Sequence, residues 1–487
     1  MIFLSTTDNN LGISFSALAF TGENAAEVYK DLSNIANLPL KELCAKNPSL
    51  IVFPKILGET RDGIENQKIF EMSGSFENPL NAKITTGNLM GFVGFRNTQV
   101  SIQSRFTQSA KSEGGDEDFF LHYMLEKVGV ANLFDLQHST KRDRYFDFLT
   151  FLFPLFLKKA LLQGLFKTYR RFEHNDANIR GVVDVSRHIH KNIPFACRVA
   201  YNTRERTFDN PVTELIRHTI ELIKTKPFGK YVLSHDEETK IAVSEIIQAT
   251  GSYNIRERDQ VIAQNAKPLN HPYFTAYNAL QKLCLAILIF QKIAYRKDSN
   301  KVYGILFDGA WLWEEYLARV LKKEGFRHPR NKDSAGGIRM FQNDSDEFSF
   351  DKNFRRIYPD FYRPNDEPKG GFILDAKYKR LQNGIGREDL YQVVTYMHTM
   401  KIDFGGFLYP IKENDTVAYA DENSGAIILS QHYKLSENGY GGEIYVLGIR
   451  IPKAKGENLK EKHEMFHARM KEIEEELLNS LRNSEAL

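Results

Sequence analysis

The spacing of apolar and polar positions changes period several times along the chain. Up to about residue 110 it is strand-like. Gly91-Phe92-Val93-Gly94-Phe95 and Thr98-Gln99-Val100-Ser101-Ile102 carry β-branched and aromatic residues around Arg96-Asn97, which predicts a hairpin. From Asp116 to about Arg171 the period becomes helical, with Phe120, Tyr123, Met124, Lys127 and Val128 at i, i+3, i+4 spacing. A short strand is expected around Gly181 to Val185. The helix after it has a legible start: Asp209 or Asn210 can cap it, Pro211 suits its first turn, and Val212, Leu215, Ile216, Thr219, Ile220 and Ile223 line one face. Further helices run to about Ile293, and the polar stretch Arg296 to Lys301 marks the main boundary.

Beyond that boundary the order of elements changes. A helix from about Gly304 to Glu324 is followed by a strand near Phe354 to Tyr362 and a turn, Pro364 to Gly371. A strand Phe372 to Lys379, a helix from about Glu388 to Met400 and a strand Phe404 to Tyr409 complete a mixed α/β unit. The expected division is a β-rich module over 1–110, a mainly helical partner-binding or linking region over 111–296, an α/β domain over 297–455 and an amphipathic helix over 456–487. The fold class is α+β, or mixed α/β, with a central mixed sheet flanked by helices in the carboxy-terminal domain.

Composition narrows the function. Of the 487 residues, 42% are hydrophobic and 26% charged, which excludes a largely disordered chain. The net charge of +3 is too balanced for a polybasic protein, so any nucleic-acid contact must use local patches. Lys141-Arg142-Asp143-Arg144, Lys167-Thr168-Tyr169-Arg170-Arg171-Phe172 and Arg355-Arg356 are candidates, although such clusters are usually solvated faces. The 3 cysteines, far apart, exclude a disulfide framework and a Cys-rich zinc module. The apolar run Phe148 to Leu157 is about half of what a bilayer needs. Met1 to Ser5 has no basic segment ahead of Asp8, so a protein of the cytoplasm, with no membrane role, is expected.

The chemistry concentrates in Pro359-Asp360 and Asp375-Ala376-Lys377. On an extended strand Asp375, Lys377 and Lys379 share one face, while Leu374, Ala376 and Tyr378 take the other. If the two strands pair as a hairpin, Asp360 and Asp375 are symmetric about Glu367 and Pro368, which brings two carboxylates side by side. Their repulsion is normally removed by a cation, and oxygen donors suit Mg²⁺ or Mn²⁺. Such an ion polarises a phosphodiester and lowers the pKa of a bound water, while Lys377 can orient that water or stabilise charge on phosphate. Glu367-Pro368-Lys369 and Glu238-Thr239-Lys240 are rival Glu-x-Lys sets, the first in the turn and the second without a preceding carboxylate partner. Glu314 follows a buried-looking Trp313 and could reach the cleft, with Glu315 as its alternative. Gln392 and Tyr396 share a helical face and could hold the phosphate or the lysine.

Glu, then Pro-Asp, then Asp-x-Lys, then Gln-x-x-x-Tyr, in this order, resembles the PD-(D/E)xK nuclease superfamily. The wording "LFDGAWLWEEYL", "YPDF", "LDAKYK" and "LYQVVTYM" resembles the McrC subunit of 5-methylcytosine restriction systems and its LlaJI-like relatives, well over residues 301–410. Residues 86–220 match more loosely, through "TGNLMGFVGF", "FFLHYMLEKV", "IRGVVDVSRHI" and "RTFDNPVTELI". The resemblance implies a PD-(D/E)xK domain and a metal-dependent restriction endonuclease acting on double-stranded DNA, methylated in some systems, beside an AAA+ GTPase (McrB-like) partner. It implies Asp360, Asp375 and Glu314 as metal ligands and Lys377 as catalytic lysine, with Gln392 in support. No Gly-x4-Gly-Lys-Ser/Thr run occurs, so any nucleotide fuel is burned by another chain. A weakly catalytic regulator of an AAA+ ring and a stand-alone repair nuclease are the alternatives.

Two histidine motifs receive blander readings. His463-Glu464-Met465-Phe466-His467 spells the zinc-protease helix motif, but that motif needs a substrate-binding sheet before it and a third ligand after it, and Glu485 could be reached only at a fraying end. With Phe466, Met470, Ile473, Leu477 and Leu481 on one face, it reads as an amphipathic packing or partner helix. Arg187-His188-Ile189-His190-Lys191 reads as a strand surface.

Overall fold

A computed structural model describes residues 2–18, 24–47, 50–54, 63–107, 118–128, 144–195, 197–226, 229–234, 236–295, 301–329, 337–341, 356–367, 369–381, 384–413, 415, 425–436 and 441–482. The chain divides into two compact units, Met1–Lys141 with Lys297–Leu487, and Arg142–Arg296.

The first unit contains two five-stranded sheets. One is built from β1 (Ile2–Thr7), β2 (Leu50–Phe53), β3 (Leu89–Phe95), β4 (Thr98–Gln103) and β5 (Tyr303–Asp308), in the order β1-β4-β3-β5-β2. The β3–β4 hairpin turns at Arg96-Asn97, where its hydrophobic pattern breaks. Strand β5 replaces the start of the helix expected from Gly304. Its run Tyr303-Gly-Ile-Leu-Phe is continuously apolar, and periodicity alone does not separate a buried strand from a buried helix. Gly304 decides the matter: at φ 157° its position would bring a Cβ within 2.2 Å of the Phe92 carbonyl, so only glycine allows β3 and β5 to pair. Because β5 lies in this sheet, the stretch expected to end near 110 and the one expected to start at 297 share a single layer.

The other sheet takes β6 (Phe361–Arg363), β7 (Phe372–Ala376), β8 (Phe404–Lys412), β9 (Ile427–Lys434) and β10 (Glu443–Ile451), in the order β6-β7-β8-β10-β9. Pairs β7/β8 and β8/β10 are parallel, and the outer pairs are antiparallel. The sheet is therefore mixed, as expected. Within the segment expected as one strand near Phe354 to Tyr362, the described residues form a short strand, Arg356–Ile357, and then β6, with Asp360 between them. Arg355 lies outside the described residues.

The same unit holds helices α1 (Phe119–Val128), α2 (Gly309–Leu321), α3 (Arg387–Met400) and α4 (Leu459–Arg482). Asp308 caps α2 by accepting from the Ala310 amide at 3.0 Å. The fully buried Trp313 then donates from Nε1 to the Leu408 carbonyl at 3.3 Å, which ties α2 to β8. Val393, Tyr396 and Met397 of α3 pack with Ile373, Phe407 and Tyr409 of the sheet. On α4 the face Phe466, Met470, Ile473, Leu477 and Leu481 is buried, as its spacing predicts.

In the second unit, strands Thr168–Asp176, Val182–Val183 and Val199–Thr207 form an antiparallel sheet beside helices that include Pro211–Lys224. Asn210, rather than Asp209, caps that helix in a capping box with Thr213. The Lys167–Phe172 cluster runs along a strand whose Arg170 is committed to Glu214, at 2.9 Å, and to Asp209. Arg187–Lys191 is not strand but part of helix Val185–Asn192, capped by Asp184, so His188 and His190 do not share a face. Lys141, Arg142 and Asp143 and the side chain of Arg144 lie outside the described residues. No described helix is long and apolar enough to cross a membrane.

One buried ion pair joins the two sheets' segments within the first unit. Arg105 Nη1 lies 3.0 Å from Asp8 Oδ2, and its Nη2 donates to the Tyr378 carbonyl at 2.9 Å. The guanidinium also covers the Tyr378 ring at 4.4 Å and the Phe106 ring at 4.7 Å. Burial pushes the Asp8 carboxyl up, and the Arg105 charge opposes that push. Arg105→Ala strands the Asp8 carboxylate in the interior. The expected loss is about 3–5 kcal/mol in urea unfolding of the full chain, and a loss below 1 kcal/mol contradicts this account.

Candidate active site

The β6–β7 ladder pairs Phe361 with Leu374, Tyr362 with Ile373 and Arg363 with Phe372. One step beyond it, Asp360 and Asp375 face each other, the register that the turn predicts. Arg363, buried at the hairpin's other end, pins that register by donating to the carbonyls of Gly370 at 2.8 Å, Lys369 at 3.1 Å and Leu481 at 3.2 Å. Asp360 Oδ2 accepts from the Ala376 amide at 2.8 Å, which draws its carboxylate across to β7. Lys377 Nζ lies 2.6 Å from Asp375 Oδ2 and 3.0 Å from Asp389 Oδ1 on α3, and Asp389 Oδ2 in turn meets Lys379 Nζ at 2.5 Å. Asp375, Lys377 and Lys379 therefore serve one polar face, as alternation predicts.

Each charge is shaped by its neighbours. Burial, reinforced by the charge of Asp360, pushes the Asp375 carboxyl up to about 7, against the pull of Lys377. Burial works to lower Lys377, but Asp375 and Asp389 overcome it and hold the amine above its ordinary value. Burial also opposes ionisation of Asp389, yet Lys379 and Lys377 hold its carboxyl low. The site is a lysine between two acids, with a third acid pressing on one of them.

The donor set fits a divalent cation. Asp375 Oδ2 is buried and receives no well-directed hydrogen bond, although the Lys377 amine stands beside it. Asp360 and Asp375 offer hard oxygen donors from facing strands, the type Mg²⁺ and Mn²⁺ prefer. Asp360 and Asp375 are the residues that would hold the ion.

The remaining expected residues approach from two helices. On α2, Glu314 is partly exposed and Glu315 buried, and their carboxylates lie 3.8 and 3.9 Å from His328 Nε2. His328 Nδ1 donates to the Asp360 carbonyl at 2.6 Å, so both acids connect to Asp360 through one imidazole. On α3, Gln392 donates to the Tyr396 hydroxyl at 2.7 Å, and that hydroxyl meets the Tyr358 carbonyl at 3.4 Å. Gln392 is thus linked to the backbone that leads into Asp360. Burial raises the Tyr396 hydroxyl's pKa, and the charges of Asp360 and Asp375 add to that rise. The rival sets are engaged elsewhere: Lys369 pairs with Glu324, and Lys240 with Glu237 along its own helix.

Sequence reasoning missed two residues, Asp389 and His328. Asp389 had a signal: an acid in the first turn of α3 and one turn before Gln392 puts both on the same helical face. His328 had none, since it lies in a loop and meets Asp360 only through the fold.

The sequence pattern of the McrBC 5-methylcytosine restriction system component family matches residues 84–410. This chain belongs to that family. The match spans the hairpin, α2 and α3, as the McrC-like wording implies. Two solved structures are similar. A half-complex of Thermococcus gammatolerans McrB AAA+ hexamers with bound McrC aligns at 15% identity and a TM-score of 0.44, covering 97% of this chain and 100% of that one. The Thermococcus gammatolerans McrBC complex aligns at 15% identity and a TM-score of 0.32, covering 66% and 87%. No curated protein matches the chain.

The raised Asp375 carboxyl makes the metal-free protein of this McrBC family member sensitive to pH. Its folded value of about 7 lies above the unfolded one, so the native state holds the extra proton. That contribution is complete below about pH 4 and is lost as pH rises through about 7. Asp375→Asn, which cannot ionise, should therefore stabilise the protein at pH 8 in EDTA, by roughly 2–4 kcal/mol at most. Melting curves at pH 5 and pH 8 test this, and an equal effect at both values contradicts the assignment.

Proposed function

We propose that this chain is the metal-dependent DNA endonuclease subunit of a McrBC-like restriction system, hydrolysing phosphodiester bonds in foreign, modified double-stranded DNA. The observation that carries the proposal is the register that sets Asp360 against Asp375, with the partly buried Lys377 beside them. Family membership supports the restriction role. The Asp-x-Lys set, complete in all its charges, favours catalysis over a purely regulatory role.

Mg²⁺ or Mn²⁺, when bound by Asp360 and Asp375, supplies polarisation of the phosphodiester and a more acidic water. The rest falls to the protein's own side chains. Asp389 holds Lys377 Nζ at 3.0 Å, so the amine stays charged and aimed at the acid pair, where it can stabilise negative charge on phosphate. His328, backed by Glu314 and Glu315, steadies the Asp360 backbone, and Gln392 with Tyr396 steadies Tyr358 two residues earlier. Glu314, the more exposed of the two, is assigned as the accessory acid, and Glu315 as its buried support. The chain contains no phosphate-cradling motif, which supports an AAA+ GTPase partner, McrB-like, as the source of any nucleotide-driven movement.

The test is cleavage of methylated and unmethylated duplex DNA by the full chain, with and without its AAA+ partner. Asp375→Ala and Lys377→Ala should each reduce Mg²⁺-dependent cleavage by at least about 100-fold while melting and partner binding persist. EDTA should abolish cleavage, and Mg²⁺ or Mn²⁺ should restore it. Undiminished cutting by both variants refutes the assignment.

A further inference from the structure

Helix α4 carries His463 and His467 one turn apart, and the fold supplies the third ligand that the sequence after them lacks. It comes from far upstream. Helix α1 brings Glu126 against the two imidazoles, so that one ligand atom from each of Glu126, His463 and His467 lies within 4.8 Å of the others. Glu126 Oε2 and His467 Nε2 are 3.4 Å apart. A tetrahedral ion with bonds of about 2.0–2.1 Å sets its ligand atoms roughly 3.3 Å apart, so this edge already has the spacing such an ion imposes. The imidazoles are in mutual contact, their centroids 4.0 Å apart, and His467 is held edge-on by the Tyr123 ring at 4.7 Å.

All three ligand atoms are buried, and Glu126 Oε2 makes no hydrogen bond there. Burying a carboxylate oxygen without a hydrogen bond is costly, and the charges of Lys127 and Lys471 offset only part of that cost. Elsewhere on the same seam, Glu474 of α4 accepts from Tyr123 at 2.6 Å, Tyr316 of α2 at 3.1 Å and Lys127 of α1 at 2.9 Å. Polar groups at that end of the seam find partners within the protein. The His463–His467 end presents a two-nitrogen, one-oxygen set.

We propose that Glu126, His463 and His467 form a structural zinc site that clips α4 to α1. Two imidazoles and a carboxylate select Zn²⁺ over Mg²⁺, so the site is chemically distinct from the Asp360–Asp375 pair. His122 stands one turn before Glu126 on α1. Glu464, the acid that this motif uses as a base in proteases, is exposed on α4. The role is therefore to fasten a helix, not to cleave peptides.

The full chain, loaded with Zn²⁺ and desalted, should retain about one zinc per chain by elemental analysis. EDTA should lower its melting temperature, and Zn²⁺ but not Mg²⁺ should restore it. In calorimetric titration with Zn²⁺ alone, H463Q, H467Q and E126Q should each weaken binding by more than the ~10–100-fold cost of losing an outer partner, while D375N keeps its zinc. Wild-type protein that retains no zinc, or shows no melting shift on Zn²⁺ addition, overturns the proposal even if the variants fail to fold. Zinc retained by the H463Q/H467Q double variant, or lost in D375N, overturns it as well.

Discussion

Two carboxylates held against each other inside a hairpin are the constraint around which the candidate active site is organised. Like charges this close resist joint ionisation, and a buried position makes the resistance stronger. The hairpin imposes the arrangement through period two: a slip of one residue between β6 and β7 would turn one acid away from the other. Arg363 and the turn it clasps prevent that slip. The like-charge cost is met in part by Lys377, itself held by Asp389.

Holding a short hairpin in this state requires help from distant parts of the chain. Trp313 fixes α2 to β8, and through α2 the acids Glu314 and Glu315 reach His328 and the Asp360 backbone. Arg105 reaches the Tyr378 carbonyl, one residue past Lys377, from the end of the other sheet. Strand β5 adds a covalent link, because it completes the amino-terminal sheet and then runs directly into α2. The chemistry of the carboxy-terminal half therefore rests on packing that includes the amino-terminal one.

Much of this is legible along the chain. The β3–β4 hairpin, a helix cap at Asp209 or Asn210, the apolar face of α4 and the mixed sheet around Asp375 follow from periodicity and turn chemistry. The misreadings share a cause. Local pattern starts a helix at Gly304 because a short continuous apolar run has no period to read, and it places Arg187–Lys191 on a strand because two histidines two residues apart, read over so short a stretch, mimic alternation. In each case a partner remote in sequence, or a cap such as Asp184, settles what local pattern leaves open.

By itself the sequence determined the candidate set, Asp360, Asp375 and Lys377, their order, and, through the turn between them, the register that opposes the two acids. Local rules suffice for that, since strand alternation and turn symmetry act over a few residues. Only the tertiary structure decided what stands around them. Asp389 and His328 join the site, and Glu126 meets His463 and His467, because helices and loops far apart in the chain are packed together. Spacing carries no information about such meetings; they arise when burying apolar faces brings remote polar side chains into the same small volume.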